Sequence, residues 1–363
     1  MTLSDIGQGA GPGIEHHARS GPASGTPTTG DQQPKSARHA LSEGHKAIAL
    51  VLALTAGLSL VLALFVSIAV NSGPNGVRLA VAGPPPAVEQ ITAGLAQAGG
   101  TDAFEVTVVA DEAAARVALL DRSVDGAIVI GPNGPMLLTA SAGSPAIAQL
   151  LTTAAGHLAN PTATGPPVTD VVPLPADDAR GVGLAAGSFP MIIAGLALGV
   201  AAALALRSRW IVLGAVVGGA VVIAVSFAGI LAWLGVSGGS FWAETAAISL
   251  TIATSALVVA GSVRVLGAAG AGLGALLLVI IGNPLSGIAT SPRLLPGPWG
   301  EFGQWLPTGA GGTLLRTVSY FPEASIAWPL TVLLIWAALG VAGVIFGRAR
   351  VGHVAAQTPA TVA

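Results

Sequence analysis

The run "AIALVLALTAGLSLVLALFVSIAV", residues 47–70, is 24 residues long and carries no charge. A hydrocarbon core about 30 Å thick takes roughly 20 apolar residues of helix to cross, so this run predicts a membrane-spanning helix. It follows a polar lead of 46 residues, too long a lead for a cleaved secretory signal, and is expected to remain as an anchor. Working outward, five more stretches approach the same length: 184–206, 210–235, 244–263, 265–282 and 326–347. Composition agrees, with 52% hydrophobic and only 9% charged residues in 363, against about 25% charged in soluble domains. The formal net charge of -2 gives no argument for nucleic acid, and none is expected as a partner. Cysteine is absent, which removes disulfides, thiolate metal sites and cysteine nucleophiles together.

Orientation follows from cations in the short flanks, because Lys and Arg mark the cytoplasmic side. Lys35, Arg38 and Lys46 precede the first run, Arg207 and Arg209 join the second to the third, Arg264 joins the fourth to the fifth, and Arg348 and Arg350 follow the sixth. With six spans all of these fall on one side. The other side receives residues 71–183, with ten acidic residues against four Arg, and the stretch 283–325. The expectation is a multi-pass plasma-membrane protein with both termini cytoplasmic.

The predicted fold class is an α-helical polytopic membrane protein of six spans, with a small extracytoplasmic α/β domain between spans one and two. Residues 1–45, rich in Gly, Pro, Ser and Thr, are expected to be a disordered cytosolic tail. Residues 46–70 form the first transmembrane helix, 71–183 the α/β domain with a Pro-rich return, 184–348 a five-helix transmembrane domain, and 349–363 a second cytosolic tail. Within the outer region, "VRLAVAG" and "FEVTVVA" read as strands, "DEAAARVALLDRS" as a helix, "DGAIVIG" and "MLLTASAG" as strands about the turn "PNGP". A further helix is placed at 85–98, and in "SPAIAQLLTTAAGHL" Ser144 is the N-cap with Pro145 at the first helical position. The order is β-α-β-α-β-β-α.

No catalytic residue, cofactor site or metal site is expected. The outer region holds one histidine, His157, and its acids read as solvated charges, with Asp170, Asp177 and Asp178 as charges of the linker. Four of the six His lie in the first 45 residues without regular ligand spacing. "GVSGG" at 235–239 has the Gly-x-Ser-x-Gly spacing but lacks the strand–turn–helix setting of a nucleophile elbow. "GAAGAGLG" at 267–274 has neither a preceding strand nor a Lys-Ser or Lys-Thr after it. Small-residue pairs explain it better, as they do Gly195 with Gly199, Gly214 with Gly218 and Gly270 with Gly274, which let helices approach in lipid. Ionisable residues are essentially missing from the spans, Glu244 sitting at the outer edge of the fourth, which disfavours a proton- or sodium-coupled carrier.

The stretch "NPLSGIATSPRLLPGPWGEFGQWLPTGAGGTLLRTVSYF", 283–321, is too polar to span and too apolar for a linker. Asn283 and Pro284 are expected to end the fifth helix. Trp299, Phe302, Trp305 and Tyr320 suit the membrane interface, and "GGTLLRTVSYF" predicts a short helix against the outer leaflet, with Arg316 as its cation. Two readings stay open here, an interfacial loop held by aromatics and an outer gate.

"NPLSG", "LLPGPW", "WLPTGAGGTLLRTVSYF" and the last span "WPLTVLLIWAALGVAGVIFG", with the weaker "DRSVDGAIVIGPNGP" at 121–135, resemble the membrane subunit of type-2 ABC exporters. The layout is similar to the YhgE/Pip-like (phage infection protein-like) branch with a large outer domain. This resemblance implies a permease that moves a lipid, drug or envelope component outward, pairs with a separate ATPase, and forms a homodimer or a heterodimer with a similar permease in contact with membrane lipid. It implies a re-entrant segment at 283–322 with Pro284, Gly287, Pro296, Pro307, Gly309 and Arg316 as candidate outer gate, and Arg207, Arg209 and Arg264 as candidate cytosolic coupling residues. The chain itself carries no Gly-x4-Gly-Lys-Ser/Thr motif, so the energy is expected from elsewhere. The alternative is an ATPase-independent envelope scaffold or surface interaction protein whose outer α/β domain is the working part.

Overall fold

The first apolar run lies within one long helix, α1 (Lys35–Val70). In the computed structural model, residues 35–100, 102–132, 134–158 and 167–347 are described. The helix begins inside the stretch expected to be disordered: "KSARHALSEGHK" is rich in Ala, Leu, Lys, Arg and Glu, all good helix formers, and no proline interrupts it. Residues 1–34 of the expected first tail, and the expected second tail at 349–363, lie outside the described residues. By its contacts α1 is divided, the part up to Leu58 forming one unit and Ser59 onward belonging to a second. In that second unit, Leu64 and Ile68 pack against Ile281, Leu285 and Leu295.

The α/β region follows the predicted order: β1 (Val77–Ala82), α2 (Pro85–Gly99), β2 (Phe104–Val108), α3 (Glu112–Leu120), β3 (Gly126–Gly131), β4 (Gly134–Thr139) and α4 (Pro145–Leu158). A strand not expected, β5 (Val168–Asp170), comes from the Pro-rich return. The sheet order is β2-β1-β3-β4-β5, with β1 parallel to β2 and β3, β3 antiparallel to β4, and β4 parallel to β5. Alternating side chains send Val77, Leu79 and Leu137 to one face, where Leu95 of α2 and Ile147 and Leu151 of α4 cover them. The other face, built from Ala80, Ala82, Ala127 and Leu138, meets Ala115 and Leu119 of α3. Period-2 alternation sends successive side chains to opposite faces, and here both faces are covered. Caps hold the helix starts: Asp111 accepts from Ala114 N–H at 2.8 Å, and Ser144 Oγ accepts from Ile147 N–H at 3.1 Å.

Five helices form the bundle: α5 (Val182–Ala205), α6 (Arg209–Trp233), α7 (Phe241–Leu266), a fifth segment and α12 (Ala327–Phe346). With α1 they make six helices long and apolar enough to cross a membrane, the make-up of a multi-pass membrane protein. The axis is α7, 72% of whose most apolar window is buried, against 28% for α6 and α12. Small residues permit this: a Cβ on Gly199 would stand 2.5 Å from the Ala256 carbonyl oxygen, and one on Gly340 2.5 Å from the Leu257 carbonyl carbon. Gly195, Gly270 and Gly274 are likewise in close contact, whereas Gly214 and Gly218 face open space. The predicted small-residue pairs therefore divide, two serving helix contacts and one none.

The fifth segment corrects the expectation that Asn283 and Pro284 end the helix. It runs as α8 (Ala268–Ala275), a π-helical turn over Leu276–Gly282 and α9 (Asn283–Leu285), so that Pro284 lies inside it. A π turn widens the ladder just before the proline, whose missing N–H and ring would otherwise clash with the preceding turn. Beyond a loop and a short 3-10 turn at Pro292–Leu294 come α10 (Trp299–Gln304) and α11 (Pro307–Tyr320).

Candidate functional site

The helix α11 is expected to lie on a leaflet, yet it is buried in protein. Leu314, Leu315, Arg316, Thr317 and Tyr320 are all buried, and α11 packs on α7 and α12. The physical reason is its first half, "PTGAGG". Without bulky side chains this backbone sits directly on its neighbours, a Cβ on Gly309 standing 2.1 Å from the Gly303 carbonyl oxygen and one on Gly311 2.4 Å from Thr251. Tyr320 is not an interfacial aromatic: its hydroxyl donates to the Val236 carbonyl at 2.7 Å in a buried contact. Trp299, Phe302 and Trp305 do remain exposed at 43%, 47% and 55%.

This buried insertion meets the α/β region along one edge of the sheet. Asn75 donates from its side chain to the carbonyls of Leu295 at 3.1 Å and Gly297 at 2.8 Å. Arg293 Nη1 donates to the Gly76 carbonyl at 2.6 Å, and the Ser144 hydroxyl donates to the Thr290 carbonyl at 2.8 Å. Arg316 spans the junction, donating from Nη1 to the Gly143 carbonyl at 3.0 Å and from Nη2 to the Ile288 carbonyl at 2.8 Å.

Between these ties lies a cavity of about 710 Å³. Its wall on the sheet side comes from the starts of β1, β2 and β3 and the end of β4, with Arg78, Glu105, Asp125 and Gly143. Open α/β sheets bind ligands at the carboxyl ends of their parallel strands. Here the cavity opens at the opposite edge, where the sheet faces the insertion. Ile288, Arg293, Gln304 and Arg316 supply the facing wall.

The electrostatics are uneven. At one side Asp125 Oδ2 lies 3.6 Å from Arg78 Nε and 3.2 Å from Arg293 Nε, so one carboxylate serves two guanidinium groups. Arg122 and Arg316 line the same cavity and form none of the ion pairs seen among the described residues, although Asp125 and Arg78 both act on Arg122, whose carbonyl accepts from Arg78 Nη2 at 2.9 Å. Arg122 donates to the Thr317 hydroxyl and lies 5.0 Å over the Phe321 ring. Burial first, then the neighbouring Arg316 charge, lowers its pKa to about 10. Burial also lowers that of Arg293, where Asp125 pulls the other way.

Arg122 has φ +61°, the one positive value at a non-glycine residue among those described. It follows α3, where Arg122 N–H donates to Leu119 and Ser123 N–H to the Ala118 carbonyl. That pattern closes a helix with a left-handed residue, usually glycine. An arginine there carries a cost of about 1–2 kcal/mol.

Of the six gate residues predicted, the structure brings Gly287 and Arg316 to the cavity and leaves Pro284, Pro296, Pro307 and Gly309 outside its lining. Gly287 has φ +65°, and a Cβ there would stand 2.4 Å from Pro292 N, so it shapes the turn. Pro307 starts α11, buried, and Gly309 is the contact with α10. At the far end of the bundle Arg207 and Arg209 are exposed, Arg209 over the Trp210 ring at 5.7 Å. Arg264 differs from the expectation of a free coupling residue: it is 5% exposed and donates to the Leu206 and Arg207 carbonyls at 3.0 and 2.8 Å.

Sequence reasoning took the acids of the α/β region for solvated charges and so missed Asp125, and it gave no role to Arg78, Arg122 or, in the stretch 283–321, Arg293. One signal existed: "DEAAARVALLDRS" ends without a glycine, which requires another residue to take the left-handed closing position. The linker acids are also specific. Asp178, 6% exposed, accepts from Val182 and Gly183 N–H at 3.0 Å each and caps α5, and Asp170 accepts from Ser141 N–H at 3.1 Å. In the loop "GVSGG" the Ser237 hydroxyl donates to Glu244, which is 1% exposed. Comparison with protein-family models, with curated proteins and with solved structures finds no match to this chain.

Proposed function

We propose that this protein is the membrane-spanning permease subunit of an exporter, moving a lipid, drug or envelope component outward with energy from a separate ATPase. The observation that supports this reading best is the placement of 283–322: a buried helical insertion between the fifth segment and α12, tied by Arg316 both to its own loop and to the α/β region. A passive loop has no need of such burial. Non-helical backbone at membrane depth is tolerated where protein or a water-filled cavity covers it, and a moving outer gate requires that cover.

In this reading α11 transmits movement. It packs on α7 and α12, so a tilt of those helices shifts α11 and alters the cavity at its junction with the sheet. The flanking cations place the exposed Arg207 and Arg209 on the cytoplasmic side, with both termini there and the α/β region outside. Docking of the ATPase falls to those two residues and the adjacent helix ends, and a second permease copy completes the transport path.

The test is purification in mild detergent with identification of co-purifying proteins. A stoichiometric ATPase is expected, and its absence sinks the permease reading. A second reading, an ATPase-independent surface protein that works through its outer domain, is favoured by the position of the cavity, which draws on the sheet edge, the insertion and Trp328 at the start of α12 and on no residue of α5, α6 or α7.

A further inference from the structure

We propose that the cavity between the sheet edge and 283–322 binds a phosphate-bearing molecule, with Arg122 and Arg316 as the groups that hold it. The proposal stands under either reading of function, since it concerns what occupies the cavity and not what drives the protein.

Three observations carry it. First, both arginines line the cavity and both are tied to α11: Arg122 donates to the Thr317 hydroxyl, and Arg316 is carried by that helix. Second, neither guanidinium is in an ion pair among the described residues, while Glu105 and Glu301, which also line the cavity, act on Arg293. The one acid shown to act on Arg122 is Asp125, whose carboxylate is already shared by Arg78 and Arg293. A charge removed from water without a partner costs several kcal/mol, and two like charges add to that cost. An anion placed between them removes both costs at once. Third, donor capacity is left over. A guanidinium has five N–H donors, and Arg122 spends one on Thr317. Its neighbour is fixed by two carbonyls, so the pair is preorganised instead of collapsing onto other groups. The left-handed backbone of Arg122 fits the same picture, because strain at a non-glycine residue concentrates where a side chain must be aimed.

Phosphate suits the pair better than carboxylate. Two separate forks can each take oxygens from one tetrahedral group, whereas a carboxylate presents two oxygens that a single fork satisfies. The remaining lining is mixed, with Phe104, Leu119, Phe321 and Trp328 beside the polar groups, which leaves apolar surface for the rest of the ligand. A membrane phospholipid headgroup and a soluble phosphate compound share this chemistry.

The experiment uses the full chain, purified in a neutral maltoside detergent and studied by calorimetry. Sodium phosphate, short-chain phosphatidylglycerol and, as the neutral control, short-chain diacylglycerol are titrated in separate runs. Saturable binding is expected for at least one phosphate probe and none for diacylglycerol. Binding of phosphatidylglycerol without phosphate assigns a lipid headgroup, and binding of phosphate assigns a soluble ligand. Arg122→Gln is expected to weaken binding at least tenfold and Arg122→Lys to restore part of it. Asp125→Asn, which frees Arg78 and Arg293 from their acid, is expected to tighten it severalfold, a gain that misfolding cannot produce. Arg209→Gln, at the other end of the bundle, is expected to bind as the unaltered protein does. The proposal is overturned if neither phosphate probe binds saturably, if diacylglycerol binds as tightly, or if Arg122→Gln keeps full affinity. Should Arg122→Gln fail to fold, unchanged or weaker binding by Asp125→Asn overturns it. Failure of these titrations leaves the co-purification of an ATPase unaffected, so the two tests fail separately.

Discussion

Arg264, on α7 of the bundle, and Arg316, on α11 of the insertion, are both buried, and both donate to two backbone carbonyls. Their surroundings make them different. Arg264 closes the end of α5 by taking carbonyls at Leu206 and Arg207, groups that a helix terminus leaves without intrahelical partners, and the cation also suits the negative end of the helix dipole. Its Nε is buried without a hydrogen-bond partner among the described residues, but Arg264 does not line the cavity at the sheet edge. Arg316 takes carbonyls from two separate segments, Gly143 and Ile288, and lines a cavity that a second arginine, Arg122, also lines. The same bonds thus make a staple at one end of the bundle and the floor of a binding site at the other.

The largest expected effect breaks the end of the bundle that meets the sheet, without touching either arginine. A Cβ on Gly303 would stand 1.7 Å from the Leu285 carbonyl oxygen, so Gly303→Val forces α10 off the fifth segment. A loss of about 3 kcal/mol follows from overpacking of this kind, read as a lower thermal midpoint in detergent. Next is Arg264→Ala, which exposes the α5 carbonyls and removes charged hydrogen bonds, for about 2 kcal/mol. Its phosphate affinity should stay unchanged, and a loss of affinity there would erase the distinction between the two ends.

Smaller again is the stability change in Arg122→Gln, which we expect to stay within about 1 kcal/mol, because the lost contacts are offset by relief of a desolvated charge. A loss as large as that of Arg264→Ala would make Arg122 another staple. The pH dependence gives the same contrast. The folded pKa of Arg122 is lowered to about 10 from 12.5, so between those values the unfolded chain holds more protons and this group's contribution to stability rises with pH. Phosphate binding needs the charged form, and is expected to be insensitive to Arg122 from neutral pH to about 9 and to fall as pH passes about 10. The smallest effect is that of Arg209→Gln, an exposed position at the far end, within about 0.5 kcal/mol in stability.

Much of the fold could be read directly. Apolar runs located all six long helices, and the strands "VRLAVA" and "GAIVIG" and the cap at Ser144 fell where periodicity put them. The failures have physical causes. Pro284 does not end its helix because a π turn absorbs it. The strand β5 is three residues long in a Pro-rich segment and exists through pairing with β4. Of the candidate site, Arg316 and Gly287 were legible as a cation and a turn in an unusual stretch. Arg122, Arg78 and Asp125 were not, because a charge on a short α/β element looks solvated until another segment covers it.

By itself, then, the sequence determined what depends on neighbours along the chain: helix length, apolar content, strand alternation and caps. Tertiary structure alone decided which charges lost their water. Residues 78, 122, 125, 293 and 316 converge on one cavity, and the desolvation that sets their energies arises only when the sheet edge meets the buried insertion, an encounter across some two hundred residues that no local pattern records.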